Sequence, residues 1–124
     1  MDRIRTHKDL QIYQSAFQVA LEIYQISKSF PPEEKYSLTD QIRRSSRSVC
    51  SNTAEAFRKK RYPKSFIAKL SDSEGEAAET QVWLDYALNC KYIDKKKHTG
   101  LNEKYDHIVA MLVKMSLNPD NWSF

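Results

Sequence analysis

The sequence predicts an all-α protein, an antiparallel up-down-up-down bundle of four helices. Three observations predict it. Apolar residues recur at three- and four-residue steps along almost the whole chain, which is the period of a helix face and not of a strand. Only two glycines occur, Gly75 and Gly100, so a multi-strand fold would be short of the residues that make tight β-turns. The breaks between periodic segments, at 30–33, 61–63 and 92–94, are short, which makes successive helices antiparallel neighbours. A chain of 124 residues, 40% hydrophobic and 29% charged, suits one globular domain over 1–124 rather than a disordered segment.

The first helix is expected over about 8–29. Asp9 stands in its opening turn, and Pro31-Pro32 stops it. This helix is apolar on two tracks. One is Leu10, Tyr13, Phe17, Ala20 and Tyr24; the other is Ile12, Ala16, Val19, Ile23, Ile26 and Phe30. At roughly 100° per residue the tracks centre about 110° apart. Gln11, Gln14, Ser15, Gln18, Glu22 and Gln25 fill the arc that remains. An ordinary surface helix carries a single apolar stripe, so one track serves the bundle and the other needs a second partner, most simply another subunit. Periodicity does not decide between them. The Ile12 track, from Ile12 to Phe30, is the candidate oligomer interface.

The second helix is expected over about 34–61. It begins either at Pro32-Glu33-Glu34, a proline and two acids suited to a helix N-terminus, or at the capping-box-like Ser37-Leu38-Thr39-Asp40. Its stripe is Leu38, Ile42, Val49 and Phe57, interleaved with Ser45, Ser46, Thr53, Ala54 and Ala56, small residues that let a neighbour approach closely. The third helix, about 63–92, opens on Pro63 and carries Phe66, Leu70, Ala77, Leu84, Ala87 and Leu88. The fourth, about 94–117, ends before Pro119 and steps 4, 3, 4, 3 through Leu101, Tyr105, Ile108, Leu112 and Met115. Trp122 and Phe124, in an irregular tail, are expected to pack back on the bundle or on a neighbouring subunit.

Charge is segregated along the chain. Residues 43–64 hold Arg43, Arg44, Arg47, Arg58, Lys59, Lys60, Arg61 and Lys64 against Glu55 alone, a local excess of seven in a chain whose net charge is +4. Residues 72–85 hold Asp72, Glu74, Glu76, Glu79 and Asp85 and no base. The basic block reads in two ways. Arginine and lysine neutralise phosphates and release counterions, so it can be a salt-sensitive nucleic-acid surface, with Tyr62 placed to stack on a base. Equally, cations near a helix C-terminus are ordinary capping, and the arginines can pair with the acids of the third helix.

Chemistry of other kinds finds little support. His7, His98 and His107 are scattered, with no HExxH spacing. The Glu-x-x-His pairs of di-metal bundles do not occur, nor does a glycine-rich phosphate loop or a nucleophile elbow. Cys50 and Cys90 make neither a zinc site nor a disulfide framework, and Cys50 reads as a small core residue. No cofactor, metal or enzymatic activity is therefore expected. Without an apolar run near the roughly 20 residues of a membrane span, and with no signal-like apolar core after Met1, a cytoplasmic protein is expected.

The run from Glu34 through Ser46, with Tyr36-Ser37-Leu38-Thr39-Asp40-Gln41-Ile42-Arg43-Arg44 at its centre, is no longer generic. With Ser48-Val49-Cys50-Ser51-Asn52-Thr53-Ala54-Glu55-Ala56 it resembles the four-helix bundle proteins encoded in 23S rRNA intervening sequences. Asp9-Leu10-Gln11-Ile12-Tyr13-Gln14-Ser15-Ala16 and Glu79-Thr80-Gln81-Val82-Trp83-Leu84-Asp85-Tyr86-Ala87 resemble that family too. The likeness spans roughly 8–118. It departs at Cys50, where the family usually has Pro, and at Ala56, where it usually has Gly. Both changes favour an unbroken second helix. The resemblance implies a homopentameric ring with no catalytic residues. The accessory variability proteins of diversity-generating retroelements look like the same fold and pair a basic pentamer with a reverse transcriptase and nucleic acid. The sequence thus points to a non-enzymatic homo-oligomer that binds RNA or DNA through Arg43, Arg44, Arg47 and the 58–64 cluster. The alternative is an interaction scaffold whose basic residues serve subunit contacts or a protein partner.

Overall fold

Four helices carry the chain: α1 (Gln11–Ser27), α2 (Leu38–Arg58), α3 (Pro63–Asn89) and α4 (Lys95–Leu117), with 3-10 turns at His7–Asp9, Pro32–Glu34 and Pro119–Trp122. They are seen in a computed structural model that describes residues 3–122, so Phe124 lies outside the described residues. Among the described residues there is no strand.

The helix ends follow local chemistry. Asp9 does not open α1. It closes a capping box around the preceding 3-10 turn, where its Oδ2 accepts from the backbone of Arg5 at 2.8 Å and Thr6 at 3.0 Å. Those two amides hold its carboxyl below the usual range. Both sequence signals for the second helix are used in turn. Pro32–Glu34 makes the 3-10 turn, and α2 then starts at Leu38. Glu34 caps it: one carboxylate oxygen accepts from the Ser37 hydroxyl and from the Leu38 amide, the other from the Tyr92 phenol at 2.8 Å. Pro63 occupies the first turn of α3. Asp94 caps α4, with Oδ1 accepting from the Lys97 amide at 2.7 Å. α3 ends at Asn89 rather than 92 because Lys91 turns left-handed, at φ 65°. The amides of Lys91 and Tyr92 then return to the carbonyls of Leu88 and Ala87 at 2.9 and 2.8 Å. That is the Schellman pattern, with lysine where glycine is usual.

The seam between α2 and α3 is the most extensive in the bundle, and among neighbouring helices α1 and α4 touch least. Small hydroxyls line it. Thr80 Oγ1 lies 2.8 Å from Ser45 Oγ, and Thr53 Oγ1 lies 2.8 Å from Ser73 Oγ. Thr53 and Ser73 both reach the Val49 carbonyl. A helical Ser or Thr can spend its hydroxyl on a carbonyl of the preceding turn, so these groups are buried without being orphaned. Ser45 faces Thr80, Thr53 faces Ser73, and Glu55 pairs with Lys69, so the two helices run in opposite senses along the seam. Gln81 with Asp106, and Asp85 with His98, repeat that sense between α3 and α4. The core above and below the seam is Ile42, Val49, Phe66, Leu70, Leu84, Leu101, Tyr105, Ile108 and Leu112, all but inaccessible to water. The expected stripes of the second, third and fourth helices face this core, with Leu88 at the end of the third only half-buried.

The first helix corrects one expectation. The Ile12 track, the candidate interface, is the chain's own core. Ile12, Ala16, Val19, Ile23 and Phe30 are 0–6% exposed, and Ile26 is half-buried against them. Apart from the part of Ile26 left accessible, these side chains have no surface free for a neighbour. On the Leu10 track, Leu10 and Ala20 are buried and Tyr13 and Tyr24 half-buried. Phe17 is 45% exposed, joined by Leu21 at 46%. The spare apolar face is therefore Tyr13, Phe17, Leu21 and Tyr24. No helix among the described residues is long and apolar enough to cross a membrane.

Candidate nucleic-acid interface

The eight cations predicted as a site fall into three settings, and α2 decides which. Arg44 lies on the side of α2 toward α3. Its guanidinium pairs with Glu76 at 2.8 Å and with Glu79, and its Nε donates to Gln41 at 3.0 Å. Trp83 Nε1 also donates to Glu79, at 3.1 Å. Arg44 thus serves the seam between helices.

Arg43 and Arg47 lie on the side toward α1. Arg43 Nε donates to Ser27 Oγ at 2.7 Å, and the Arg43 and Arg47 guanidinium carbons lie 4.7 and 5.7 Å from the Tyr24 ring centroid. Stacking on a tyrosine orients a guanidinium without cancelling its charge. Both arginines border a shallow depression of about 660 Å³ that also holds Lys35, Tyr36, Ser48, the acid Asp40 and an edge of Arg44.

The third group stands where α2 ends and α3 begins. Arg58, Lys59, Arg61 and Lys64 are exposed, and Lys60 lies over the Phe57 ring at 4.2 Å. Glu55, the single acid of the block, is taken by Lys69 at 2.6 Å. None of Arg43, Arg47, Arg58, Lys59, Arg61 and Lys64 is ion-paired to a carboxylate among the described residues. Eleven residues separate Arg47 from Arg58, about 16 Å along a helix, so the surface has two charged ends. Between them, Ala20, Cys50, Ser51 and Ala54 floor an apolar groove of about 460 Å³ with the spare face of α1.

The acids of residues 72–85 are largely engaged. Besides Glu76 and Glu79, Asp72 lies 3.9 Å from Lys69, and Asp85 lies 2.7 Å from His98 Nε2. Groups with displaced titration serve structure. Burial pushes the Cys50 thiol up to about 11, which leaves it protonated and unreactive. The Glu34 carboxylate pushes the Tyr92 phenol up to about 12. His7 packs edge-on against Tyr13 at 4.8 Å, and His107 is exposed on α4. Among the described residues, no three of His, Cys, Asp and Glu are grouped to hold a metal ion.

Reading the sequence missed Tyr24 and Ser27 as supports of Arg43 and Arg47, and missed Lys35 and Tyr36 as neighbours of those arginines. A signal was present. Tyr24 and Ser27 are one turn apart, as are Arg43 and Arg47, and the two helices are consecutive in the chain.

Residues 8–114 match the family model described as 23S rRNA-intervening sequence protein. A crystal structure of a protein of unknown function from the S23 ribosomal protein family of Bacteroides thetaiotaomicron has the same fold. Its TM-score is 0.76 at 26% identity, over 85% of this chain and 94% of that one. No curated protein matches the chain.

Proposed function

This chain belongs to the 23S rRNA-intervening sequence protein family, and we propose that it is a non-enzymatic, cytoplasmic homo-oligomer that binds nucleic acid through the outer face of α2 and the turn that follows. One observation carries the reading. Six cations of the 43–64 block, in the first half of α2 and around the turn that follows it, have no carboxylate partner among the described residues. A protein that leaves such a set unneutralised gains phosphate affinity by counterion release. Arg44 is removed from the binding set, because Glu76 and Glu79 already hold it.

Self-association is supported by a separate feature, the α1 face on which exposed Phe17 and Leu21 lie between half-buried Tyr13 and Tyr24. An aromatic-rich apolar strip rimmed by arginine has the composition of an interface core. A second copy is its proposed occupant, in the pentameric arrangement that the resemblance implies. Repeating six cations around a symmetry axis would strengthen the field of each set.

The test is binding of labelled RNA and DNA across a salt series. Six phosphate contacts give log K a slope of about −5 against log salt on a duplex and about −4 on a single strand. A slope near zero, or no binding at low salt, refutes the reading. If a protein partner alone were bound, the scaffold alternative would replace it.

A further inference from the structure

Tyr36 is the most exposed of the large hydrophobic side chains among the described residues, at 85%. It contributes nothing to the core, yet its backbone is well held. On either side, the Lys35 amide donates to the Pro32 carbonyl at 3.1 Å and the Ser37 amide to the Glu34 carbonyl at 3.0 Å. Glu34 then ties Ser37 and Leu38 to Tyr92, across 58 residues of chain. The ring is an aromatic surface projecting from a fixed base. Lys35 Nζ lies 5.3 Å from its centroid. Most to the point, Tyr36 borders the same depression as Arg43 and Arg47, whose guanidinium groups carry no ion pair among the described residues.

A phosphate-binding strip with an exposed aromatic ring beside it is the composition that takes single strands. Unpaired bases each offer a π-face, and stacking on an aromatic side chain is tolerant of sequence. In a duplex those faces are already stacked on one another, so the ring finds a partner only at an end. Resting on the nucleic-acid reading above and narrowing it, we propose that the α2 face prefers single-stranded nucleic acid, with Tyr36 stacking on a base whose neighbouring phosphates meet Arg43 and Arg47. Tyr62, 61% exposed and standing between Arg61 and Lys64 in sequence, repeats the combination of ring and cations at the other end of α2.

The experiment is fluorescence anisotropy on the full chain at one salt concentration, with a labelled oligo(dT) or oligo(U) and a labelled duplex of equal length. The wild type binds the single strand more tightly. Tyr36→Ala weakens single-strand binding by about 5- to 150-fold, the range of one lost base stack, and leaves duplex binding and the salt slope unchanged. Tyr36→Phe keeps the ring and restores the affinity. Circular dichroism and melting of Tyr36→Ala match the wild type, because the side chain is outside the core. Equal or tighter duplex binding overturns the inference while the nucleic-acid reading stands. So does a Tyr36→Ala variant with full single-strand affinity, or a Tyr36→Phe variant as weak as Tyr36→Ala. Binding of neither probe overturns both.

Discussion

Neutralising the α2–α3 turn separates cations that are available from cations that are merely present. The perturbation is Arg58, Lys59, Arg61 and Lys64 changed together to Gln, set against Arg44→Gln. The four turn residues are exposed and unpaired to carboxylates among the described residues, whereas Arg44 is shared between Glu76 and Glu79. Each phosphate contact contributes about 0.9 to the salt slope on a duplex and about 0.7 on a single strand. Removing four therefore flattens the slope by about 3.6 or about 2.8. At about 0.15 M salt the same relation gives a loss of about 10²- to 10³-fold in affinity. Arg44→Gln should leave the slope alone. It should instead cost stability, because it strands Glu76 and Glu79 together at the partly exposed seam; exposed pairs of this kind measure at about 0.2–1 kcal/mol. Anisotropy across a salt series reads the first effect, and urea unfolding the second. An unchanged slope in the quadruple variant refutes the assignment, as does an Arg44→Gln variant that loses slope as the turn variants do.

Three further outcomes follow from the packing. Phe17→Glu with Leu21→Lys replaces the centre of the exposed α1 face, and light scattering should then find monomer where the wild type is oligomeric; a wild type that is monomeric at high concentration would dispose of the interface altogether. The Cys50 thiol titrates at about 11 when folded, against about 8.5 in an unfolded chain. A raised folded value stabilises below the unfolded one, so that contribution is lost as pH climbs from about 8.5 to 11, at up to 1.4 kcal/mol per pH unit. Denaturant midpoints of Cys50→Ala should fall less steeply than the wild type over that window, and parallel slopes would contradict the burial argument. Lys91 holds a left-handed turn at φ 65°, which costs a residue with a Cβ about 1–2 kcal/mol. Lys91→Gly should stabilise by about 0.5–1 kcal/mol after the extra freedom of glycine in the unfolded chain is allowed for, and a loss of stability would show that the lysine side chain has a role of its own.

The inward faces of the second, third and fourth helices were legible in the sequence because each has one stripe, and a single stripe has one place to go. The first helix has two, and angles along a helix do not name the neighbours at those angles. The Ile12 track is internal because α2 and α4 flank it, a fact about three helices that one helix does not contain. The capping residues show the same limit. Asp94 caps the residues next to it, at the position where the fourth helix was expected to begin. Glu34 reaches Tyr92, 58 residues away, and the turn at Lys91 has no glycine to announce it. The basic block was legible as charge but not as availability. Whether Arg44 was free depended on acids 32 and 35 residues further on.

That difference in availability has a cause in the two flanks of α2. Toward α3, small hydroxyls bring the helices close, and α3 carries Glu76 and Glu79 within reach, so an arginine on that flank is neutralised. Toward α1 no such acid stands opposite. The one acid in α1 is Glu22, and it reaches across the other side of the helix to Lys104 at 2.6 Å. What α1 offers Arg43 and Arg47 is a tyrosine face and a serine hydroxyl. These partners fix the position of a guanidinium and lower the entropy lost when it grips an anion, yet they leave its positive charge whole. A carboxylate on this flank would neutralise the arginines at no cost in stability, because an exposed ion pair contributes about 0.2–1 kcal/mol and an exposed cation–π contact about as much. Its absence, beside a neighbouring flank where the pairing is made, is what turns a charged helix face into a candidate binding surface.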